Sequence, residues 1–216
     1  MENNFATKTL ILDLDDTIFQ TRSMDPKIFE PFFKHLALNL KPNFDSKTID
    51  AISHDLWQNT WDKVIHKYGI PLPSIMESVK LLEKLELNLK IVPYPDYNFI
   101  KNFTGRKFLV TTSLTSLQVS KIKALKIEND FEKIVINDTF KETKTKHDIF
   151  KELVSEFNLK PETTFVIGDN AASEIEAGNQ LNMITIQILR EGVVKGNNAR
   201  YYIKSFEELR EVLNKK

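Results

Sequence analysis

The hydrophobic positions of the chain form two kinds of pattern. Short, almost continuous apolar runs occur at residues 8–15, 107–112, 133–136, 164–167 and 184–188. Runs of this kind are typical of strands that are covered on both faces in a parallel sheet. Helical periodicity lies between several of them, most clearly at residues 149–157. Strands that alternate with helices predict an α/β fold with a doubly wound parallel sheet.

Residues 19–92 follow a different, purely helical pattern. Asp25-Pro26 is a favourable helix start, and apolar residues then recur on one face. A second helical stretch runs through residues 49–64, and Ser74-x-x-Glu77 is a capping box that predicts a third helix. A similar box, Ser205-x-x-Glu208, precedes the last predicted helix. Residues 19–92 show no strand pattern.

The chain length fits a core with an insertion. A chain of 216 residues makes one large domain, or one domain with an inserted segment. We predict an α/β core of residues 1–18 and 93–216, with an all-helical subdomain of residues 19–92 inserted after the first strand. The composition, with 41% hydrophobic and 28% charged residues, is that of a globular protein.

Composition and charge argue against several classes of function. Thirty basic and thirty acidic side chains give a formal net charge of zero, which argues against a dedicated nucleic-acid binder. The absence of cysteine removes disulfides, thiolate catalysis and Cys-ligated zinc, and it suits a reducing compartment. The sequence shows neither a signal-peptide pattern nor an apolar run of ~18 residues. We therefore expect a cytoplasmic protein with no membrane partner, and the oligomeric state stays unknown.

The first predicted strand ends in an acidic sequence, Asp13-Leu14-Asp15-Asp16-Thr17. In an open parallel sheet, ligands bind at the carboxyl ends of the strands. Three aspartates in four positions repel one another, so the group is costly when it is partly buried. A divalent cation removes that conflict, and a site of hard oxygen ligands favours Mg²⁺. The structural alternative is an acidic turn that caps the following segment. These residues alone do not decide between a metal site and a capping turn.

Three further polar groups follow later predicted strands. They are Thr111-Thr112-Ser113, the lysine pair Lys144 and Lys146, and the set Asp169, Asn170 and Glu174. Each group also has an ordinary structural role: helix capping for the hydroxyls, solvation for the lysines, and a first-turn carboxylate for Glu174. Because all of them fall near carboxyl ends of predicted parallel strands, we expect them to lie close to Asp13.

The ordered segments DLDDT, LVTTS, a lysine before DIF, and IGDNAASE resemble the motifs of the haloacid dehalogenase (HAD) superfamily of phosphohydrolases. The resemblance covers nearly the whole chain. It implies that Asp13 is the nucleophile that forms an aspartyl-phosphate, and that Asp15 protonates the leaving alcohol and then activates water. Thr111, in preference to Thr112, would hydrogen-bond the phosphoryl oxygens. Asp169 would complete a Mg²⁺ site with the Asp13 carboxylate and the Asp15 backbone carbonyl.

Two positions depart from the pattern of the family. Relatives often have Lys-Pro a few residues before an Ile-Phe pair, whereas here Lys144-Thr145 lies before Ile149-Phe150 and Lys146 follows two residues on. We favour Lys144 as the catalytic lysine and keep Lys146 as the alternative. Glu174 stands where many relatives have aspartate, so the resemblance implies that it acts through a water or by a longer reach.

The inserted segment lies where the family has a helical cap that closes over the site and selects the substrate. The resemblance therefore implies a small phosphate ester as the partner, with its identity set by the cap. Seven residues are candidate cap contacts: Arg22, Lys27, His54, Trp57, Trp61, Lys63 and His66. The alternative is that the two tryptophans, four positions apart, belong to a helix core and that the cations are solvated.

The hypothesis that results is a Mg²⁺-dependent phosphomonoester hydrolase. Asp15 argues against the dehalogenase and phosphonatase branches, whose members lack an acid two residues after the nucleophile. A phosphomutase of the same superfamily is an alternative, although the cap His and Lys pattern of that branch is not found. A phospho-accepting signalling domain and a catalytically silent phospho-ligand binding module also stay open.

Overall fold

The computed structural model describes residues 5–58, 61–85 and 87–214. The described strands are β1 (Thr9–Leu12), β2 (Arg106–Thr112), β3 (Lys133–Asn137), β4 (Thr164–Gly168), β5 (Ile184–Ile188) and β6 (Tyr201–Ile203). They form one sheet in the order β3-β2-β1-β4-β5-β6, and every neighbouring pair is parallel. The predicted α/β class with a parallel sheet is confirmed.

Helices connect the strands. In the described residues the α-helices are α1 (Glu30–Leu40), α2 (Ser46–Gln58), α3 (Trp61–Tyr68), α4 (Leu72–Lys84), α5 (Tyr97–Lys101), α6 (Thr115–Leu125), α7 (Lys146–Phe157), α8 (Glu176–Gln180) and α9 (Leu209–Asn214). Among them, none has both the length and the apolar character needed to cross a membrane.

Both faces of the sheet are buried. Leu10 and Leu12 of β1 belong to one cluster of buried apolar side chains, and Ile11 between them belongs to a second cluster. Successive side chains of a strand point to opposite faces, so the two clusters lie on opposite sides of the sheet. Ile149 and Phe150 of α7 pack in the second cluster. Burial on both sides explains why the strands appear in the sequence as continuous apolar runs.

Helices α1–α4 occupy the segment that the sequence predicts to be helical, and no strand occurs in its described part. Asp25-Pro26 starts a helical segment as predicted, but its first turn, Pro26–Phe29, is a 3-10 turn that leads into α1. The described parts of the second helical stretch are α2 and α3, and residues 59–60 between them lie outside the described ones. Helix α4 begins at Leu72, before the Ser74 box, because Pro73 is tolerated in a first helical turn.

The apolar interior of this segment is continuous with one face of the sheet. Phe32 of α1 and Leu82 of α4 belong to the same buried cluster as Leu10 and Leu12 of β1. The division into a core and an inserted subdomain with boundaries at residues 18/19 and 92/93 stays a prediction.

The sequence patterns do not predict β6. This strand has three residues, lies at the edge of the sheet and pairs with β5. Tyr201 and Tyr202 are partly exposed, so they form no apolar run. The capping box that follows is confirmed: the Ser205 N–H donates to Glu208 Oε1 at 3.1 Å. It caps a 3-10 turn, Phe206–Glu208, that leads into α9.

The carboxyl ends of β1, β2 and β4 meet at one edge of the sheet. Leu12 pairs with Ile167, and the Asp13 N–H continues this ladder by donating to Ile167 O at 3.0 Å. Asp13, Thr111 and Asp169 therefore lie at the same edge, in agreement with the strand pattern of the sequence.

Candidate active site

Three carboxylates and one lysine form a group at this edge of the sheet. We call Asp13, Lys146, Asp169 and Glu174 the Asp13 cluster. The Lys146 Nζ donates to Asp13 Oδ1 at 2.6 Å and to Glu174 Oε2 at 2.8 Å. One oxygen from each of the three acids lies within 4.8 Å of the others. Asp169 is half-buried, and the other three side chains are buried.

The start of α7 directs Lys146 into this cluster. Lys146 is the first residue of the helix, and Thr145 is its N-cap. The Thr145 N–H donates to Asp148 Oδ2 at 2.9 Å, while the Asp148 N–H donates back to Thr145 Oγ1. Asn137 of β3 holds the preceding loop by donating to Lys144 O at 2.8 Å. These contacts fix the direction of the chain as it enters the helix.

The preference for Lys144 as the lysine of the site is corrected by these positions. The exposed Lys144 side chain forms an ion pair with Glu152, Nζ to Oε1, at 2.8 Å. Lys146, the alternative, is the lysine that contacts Asp13. The sequence held a signal that decides between them: Thr145-x-x-Asp148 is a helix-capping pattern that leaves residue 144 outside the helix and makes residue 146 its first member.

Glu174 enters the cluster from a single π-helical turn, Ala171–Ile175. Turns of this kind are frequent at functional sites. The Asn170 N–H donates to Glu174 Oε1 at 2.7 Å, which leaves Oε2 for Lys146. The Glu174 side chain lies so close to Gly168 that a Cβ at that position would collide with it. A glycine at the end of β4 is therefore what lets Glu174 reach the cluster directly.

The acids of the Asp13 cluster are electrostatically crowded. Burial raises the pKa of Asp13 to about 7, an effect that the Lys146 ammonium opposes and the Glu174 charge reinforces. Burial, followed by the charges of Glu174 and Asp13, raises the pKa of Asp169 to about 8. Burial disfavours the charge on Lys146, but the Asp13 and Glu174 carboxylates outweigh it and raise the pKa of Lys146. One ammonium does not balance three carboxylates.

A hard divalent cation fits this imbalance. Asp13, Asp169 and Glu174 offer only oxygen ligands, and these converge within the distance that one ion spans. A bound cation lowers the pKa of adjacent carboxyl groups, so it relieves the crowding that burial creates. The chemistry of the donor set therefore suits Mg²⁺.

Asp15 lies two residues beyond Asp13 but has entirely different partners. Its Oδ1 accepts hydrogen bonds from Lys121 Nζ at 2.6 Å and from Thr21 Oγ1 at 3.2 Å, and its Oδ2 accepts from Gln118 Nε2 at 2.8 Å. We call these four residues the Asp15 cluster. Burial alone would raise the pKa of Asp15, but the Lys121 charge and the hydrogen bonds outweigh it and hold the pKa below its ordinary value.

The two carboxylates separate because the chain turns after β1. The strand ends at Leu12, and Asp16 adopts a left-handed backbone conformation with φ of 50°. The Asp16 Oδ1 accepts a hydrogen bond from the Thr21 N–H at 2.9 Å, which fixes the turn. The alternation of an ideal strand, which would place both side chains on one face, therefore does not extend to residue 15.

Sequence reasoning missed Gln118 and Lys121. Both belong to α6, three positions apart, and both are buried, so they share one helix face. A signal existed in the sequence, since these two polar residues interrupt the apolar face formed by Leu117, Ile122 and Leu125. A polar side chain on a buried helix face needs a partner, and here that partner is Asp15.

The hydroxyl residues after β2 differ in burial. Thr111 is buried, and its Oγ1 accepts a hydrogen bond from Gln118 Nε2 at 2.5 Å. Thr112 is half-buried. Helix α6 begins at Thr115, and its capping group is Asp138: Oδ2 accepts from the Thr115 N–H at 2.9 Å. Asp138, which sequence reasoning did not select, thus takes the capping role considered for the hydroxyls.

A cavity of about 760 Å³ opens beside both clusters. Its lining includes Asp13, Asp15, Thr111, Thr112, Lys146, Asp169, Asn170 and Glu174. Of the candidate cap contacts, the lining includes Arg22, Trp57, Trp61 and Lys63, whereas Lys27, His54 and His66 are not among its described residues. The structure therefore brings both clusters, the hydroxyls of β2 and the two tryptophans to one cavity.

Known proteins resemble this chain in sequence. A family model described as haloacid dehalogenase-like hydrolase matches residues 10–188. The glyceraldehyde 3-phosphate phosphatase of Pyrococcus furiosus is 26% identical over 200 residues, which cover 83% of this chain and 79% of the relative. The protein of the same name from Methanocaldococcus jannaschii is 28% identical over 138 residues, which cover 58% of this chain and 60% of the relative.

Solved structures share the fold. A HAD phosphatase from Thermococcus onnurineus superposes with a TM-score of 0.64 and 18% identity, over 96% of this chain and 98% of the other. A HAD hydrolase from Bacillus subtilis, solved bound to magnesium, gives a TM-score of 0.61 and 18% identity, over 97% and 100% of the two chains. The family model spans most of the sequence, including the sheet edge with both clusters. The chain therefore belongs to the haloacid dehalogenase-like hydrolases.

Proposed function

We propose that the protein is a Mg²⁺-dependent phosphomonoester hydrolase in which Asp13 forms an aspartyl-phosphate. The main support is the Asp13 cluster itself, a carboxylate next to one lysine and two further acids at the edge of a cavity. Membership of a hydrolase family and relatives named as phosphatases support the same reaction. A small phosphorylated metabolite is the proposed substrate.

An anionic phosphate approaches Asp13 only if positive charge compensates the repulsion. Lys146 provides one fixed charge, with its Nζ 2.6 Å from Asp13 Oδ1. Asp13, Asp169 and Glu174 would hold Mg²⁺, with the Asp15 backbone carbonyl as a further ligand. When bound, the ion supplies the remaining positive charge and polarises the phosphoryl group. We propose Lys146, and not Lys144, as the catalytic lysine.

The first half of the reaction moves the phosphoryl group to the protein. An Asp13 carboxylate oxygen attacks phosphorus, and the bond from phosphorus to the ester oxygen breaks. This half uses the protonated form of Asp15, which its partners disfavour in the free protein: the carboxyl group donates its proton to that leaving oxygen, so an alcohol is released. The Thr111 oxygen accepts from Gln118, which leaves its own hydroxyl proton to donate to a phosphoryl oxygen.

The second half returns the phosphoryl group to water. The Asp15 carboxylate accepts a proton from a water molecule, whose oxygen attacks phosphorus. The bond from phosphorus to Asp13 breaks, inorganic phosphate leaves, and the Asp13 carboxylate is regenerated. The partners of Asp15 favour its ionised form, which is the form that this half requires.

Helices α1–α4 would act as a lid over these steps. Residues of this segment line the same cavity as the sheet edge, among them Trp57 and Trp61. Closure of such a lid excludes water from the phosphoryl group while the ester is bound.

The test is phosphate release from a panel of phosphomonoesters, glyceraldehyde 3-phosphate included, with and without Mg²⁺. We expect Asp13→Asn to lower kcat by at least about 10³-fold, because it removes the nucleophile and keeps the side-chain shape. Glu152→Gln is the matched control, since this exposed acid pairs with Lys144 outside the site. Mass spectrometry of acid-quenched enzyme is expected to find the phosphoryl group on Asp13.

Each other outcome points to a different function. Full activity in Asp13→Asn, or a phosphoryl group on another residue, would exclude Asp13 as the nucleophile. An isomerised sugar phosphate without phosphate release would indicate a phosphomutase. An aspartyl-phosphate that lasts for minutes would indicate signalling, and the absence of turnover on the whole panel would indicate a binding module.

A further inference from the structure

The cavity beside the two clusters is larger and more apolar than a triose phosphate requires. Its volume of about 760 Å³ lies in the upper part of the ~300–1,000 Å³ range of ligand pockets. Residues from the segment 24–82 and from α6 give it an apolar wall, which consists of Met24, Phe29, Phe32, Phe33, Leu56, Trp57, Trp61, Leu82 and Leu117. The polar lining comes mainly from the sheet-edge segments that hold the two clusters.

The aromatic rings of this wall are held in place by one another. The Trp57 ring lies 5.2 Å from the Phe29 ring in an edge contact and 6.4 Å from the Phe33 ring. The Trp61 ring lies 5.3 Å from the Phe32 ring. Phe29 and Phe32 are buried, whereas both tryptophans are only half-buried and line the cavity. The wall therefore presents indole surface that is supported by contacting aromatic rings.

The two sides of the cavity suit two halves of one ligand. The Asp13 cluster accepts a phosphoryl group under the proposed function, on which this step rests. The hydroxyl and carbonyl groups of a triose would lose water against the apolar wall, because the rings offer them no equivalent hydrogen bonds. A flat aromatic group, in contrast, packs against indole faces and loses no hydrogen bond there.

We infer that the preferred substrates are phosphomonoesters whose alcohol carries an aromatic ring, which packs against Trp57 and Trp61. The chemical class includes arylalkyl phosphates and nucleoside monophosphates, which share a phosphate joined by a short linker to a planar ring. The wall, and with it Trp57, determines the specificity for the leaving alcohol. The residues of the sheet edge carry out the reaction and do not select between alcohols.

A matched set of esters tests the inference. The three esters are 2-phenylethyl phosphate, 2-cyclohexylethyl phosphate and glycerol 1-phosphate, which are all alkyl esters but differ in the group that meets the wall. We expect kcat/KM for the phenyl ester to exceed that for the glycerol ester by about 10-fold or more, with the cyclohexyl ester between them. Equal values for the phenyl and cyclohexyl esters, or a preference for the glycerol ester, would overturn the inference.

Variants of Trp57 connect the preference to the wall. We expect Trp57→Ala to lower kcat/KM for the phenyl ester by about 10-fold and to change that for the glycerol ester by less than about 3-fold. Trp57→Phe should retain most of the preference. The control is Phe44→Ala, which removes a half-buried ring that packs on the same apolar interior but is not part of the described lining. Equal losses on both esters would show that Trp57 has only a packing role.

A binding measurement separates failure of this inference from failure of the proposed function. Calorimetry with Mg²⁺ compares the affinities of 3-phenylpropylphosphonate and propylphosphonate, which cannot be hydrolysed at the P–C bond. Tighter binding of the phenyl compound in wild type, reduced to parity in Trp57→Ala, supports the aromatic wall even if no ester turns over. Equal binding of both compounds in wild type contradicts it even if the enzyme is an active phosphatase.

Discussion

The Asp13 cluster and the Asp15 cluster lie beside the same cavity, but the pKa of the buried carboxylate is raised in the first and lowered in the second. In the Asp13 cluster, three acids share one ammonium, and the pKa values of Asp13 and Asp169 rise to about 7 and about 8. In the Asp15 cluster, one acid accepts from an ammonium, an amide and a hydroxyl, and the pKa of Asp15 falls. The two acids that define the clusters, Asp13 and Asp15, are only two positions apart in the chain.

The Asp13 cluster lacks positive charge, whereas the Asp15 cluster has an ammonium for its one carboxylate. Buried charges are stable only when they are paired and hydrogen-bonded, so the Asp13 cluster gains from an added cation such as Mg²⁺. The Asp15 cluster gains nothing from a cation, because its own Lys121 already lies 2.6 Å from Asp15. Removal of one negative charge should therefore stabilise the Asp13 cluster and destabilise the Asp15 cluster.

Among the partners of the two acids, loss of Lys146 should give the largest effect on activity. Lys146→Met removes the only ammonium that contacts the Asp13 cluster in the described structure, and we expect kcat to fall by about 10²–10³-fold. Lys144→Met is the matched control, because that exposed lysine pairs with Glu152 outside the site. Steady-state kinetics on one ester measures both. Equal losses in the two variants would contradict the assignment of the lysine.

Loss of Lys121 should give the next largest effect. Lys121→Met leaves Asp15 without its ammonium and without its shortest contact, so the side chain loses its fixed position. We expect kcat to fall by about 10–100-fold while KM changes by less than about 3-fold, because Asp15 acts on the reacting proton. Lys123→Met, an exposed lysine on the same helix, is the control.

A double variant shows whether Lys121 acts through Asp15. If it does, Lys121→Met adds little to the loss already caused by Asp15→Asn, because the two changes remove the same interaction. Losses that simply multiply would mean that Lys121 stabilises the helix or contacts the substrate independently, and the Asp15 cluster would then not be a unit.

The strands that position both clusters could be predicted because their signal is local. A buried parallel strand requires apolar residues on both faces, and the runs that hold Leu10 and Phe165 satisfy this without reference to the rest of the chain. Edge strand β6 has no such requirement, since Tyr201 and Tyr202 are partly exposed, and so it left no pattern to detect.

The partners of the acids were harder to predict because they depend on contacts between distant segments. Lys121 meets Asp15 across 106 positions, and Lys146 meets Asp13 across 133. The choice between Lys144 and Lys146 depended on where α7 begins, which the Thr145 cap decides. Gln118 and Lys121 were marked only by polarity on an apolar helix face, which becomes informative once the partner carboxylate is known.

The stability of the metal-free protein should fall as pH rises. A carboxyl group whose folded pKa is raised stabilises the fold below its unfolded pKa, and that contribution disappears as pH rises through the folded value. For Asp13 and Asp169 this window runs from about 4 to about 8. We expect Tm without metal to drop by several degrees across it, and Mg²⁺ to restore more stability at pH 8 than at pH 5. Thermal unfolding with and without chelator measures both effects.

Two asparagine variants distinguish the clusters within that experiment. At pH 8 without metal, Asp169→Asn removes a crowded charge and should raise Tm by about 2–4 °C, about 1 kcal/mol for a chain of this size. Asp15→Asn removes a satisfied charge from beside Lys121 and should lower Tm, because the lowered pKa of Asp15 means that its ionised form stabilises the fold. Shifts of the same sign in both variants would contradict the contrast between the clusters.

The Thr21 hydroxyl should give the smallest effect, because it is a neutral donor and its 3.2 Å bond is the longest of the three to Asp15. Thr21→Val keeps the side-chain shape and the Thr21 N–H bond to Asp16, and we expect kcat to fall by only about 2–5-fold. Thr21→Ser, which retains the hydroxyl, should keep wild-type turnover on the same ester. If Thr21→Val instead lost as much as Lys121→Met, the Lys121 charge would not be what holds Asp15, and the Asp15 cluster would depend on its hydrogen-bond geometry alone.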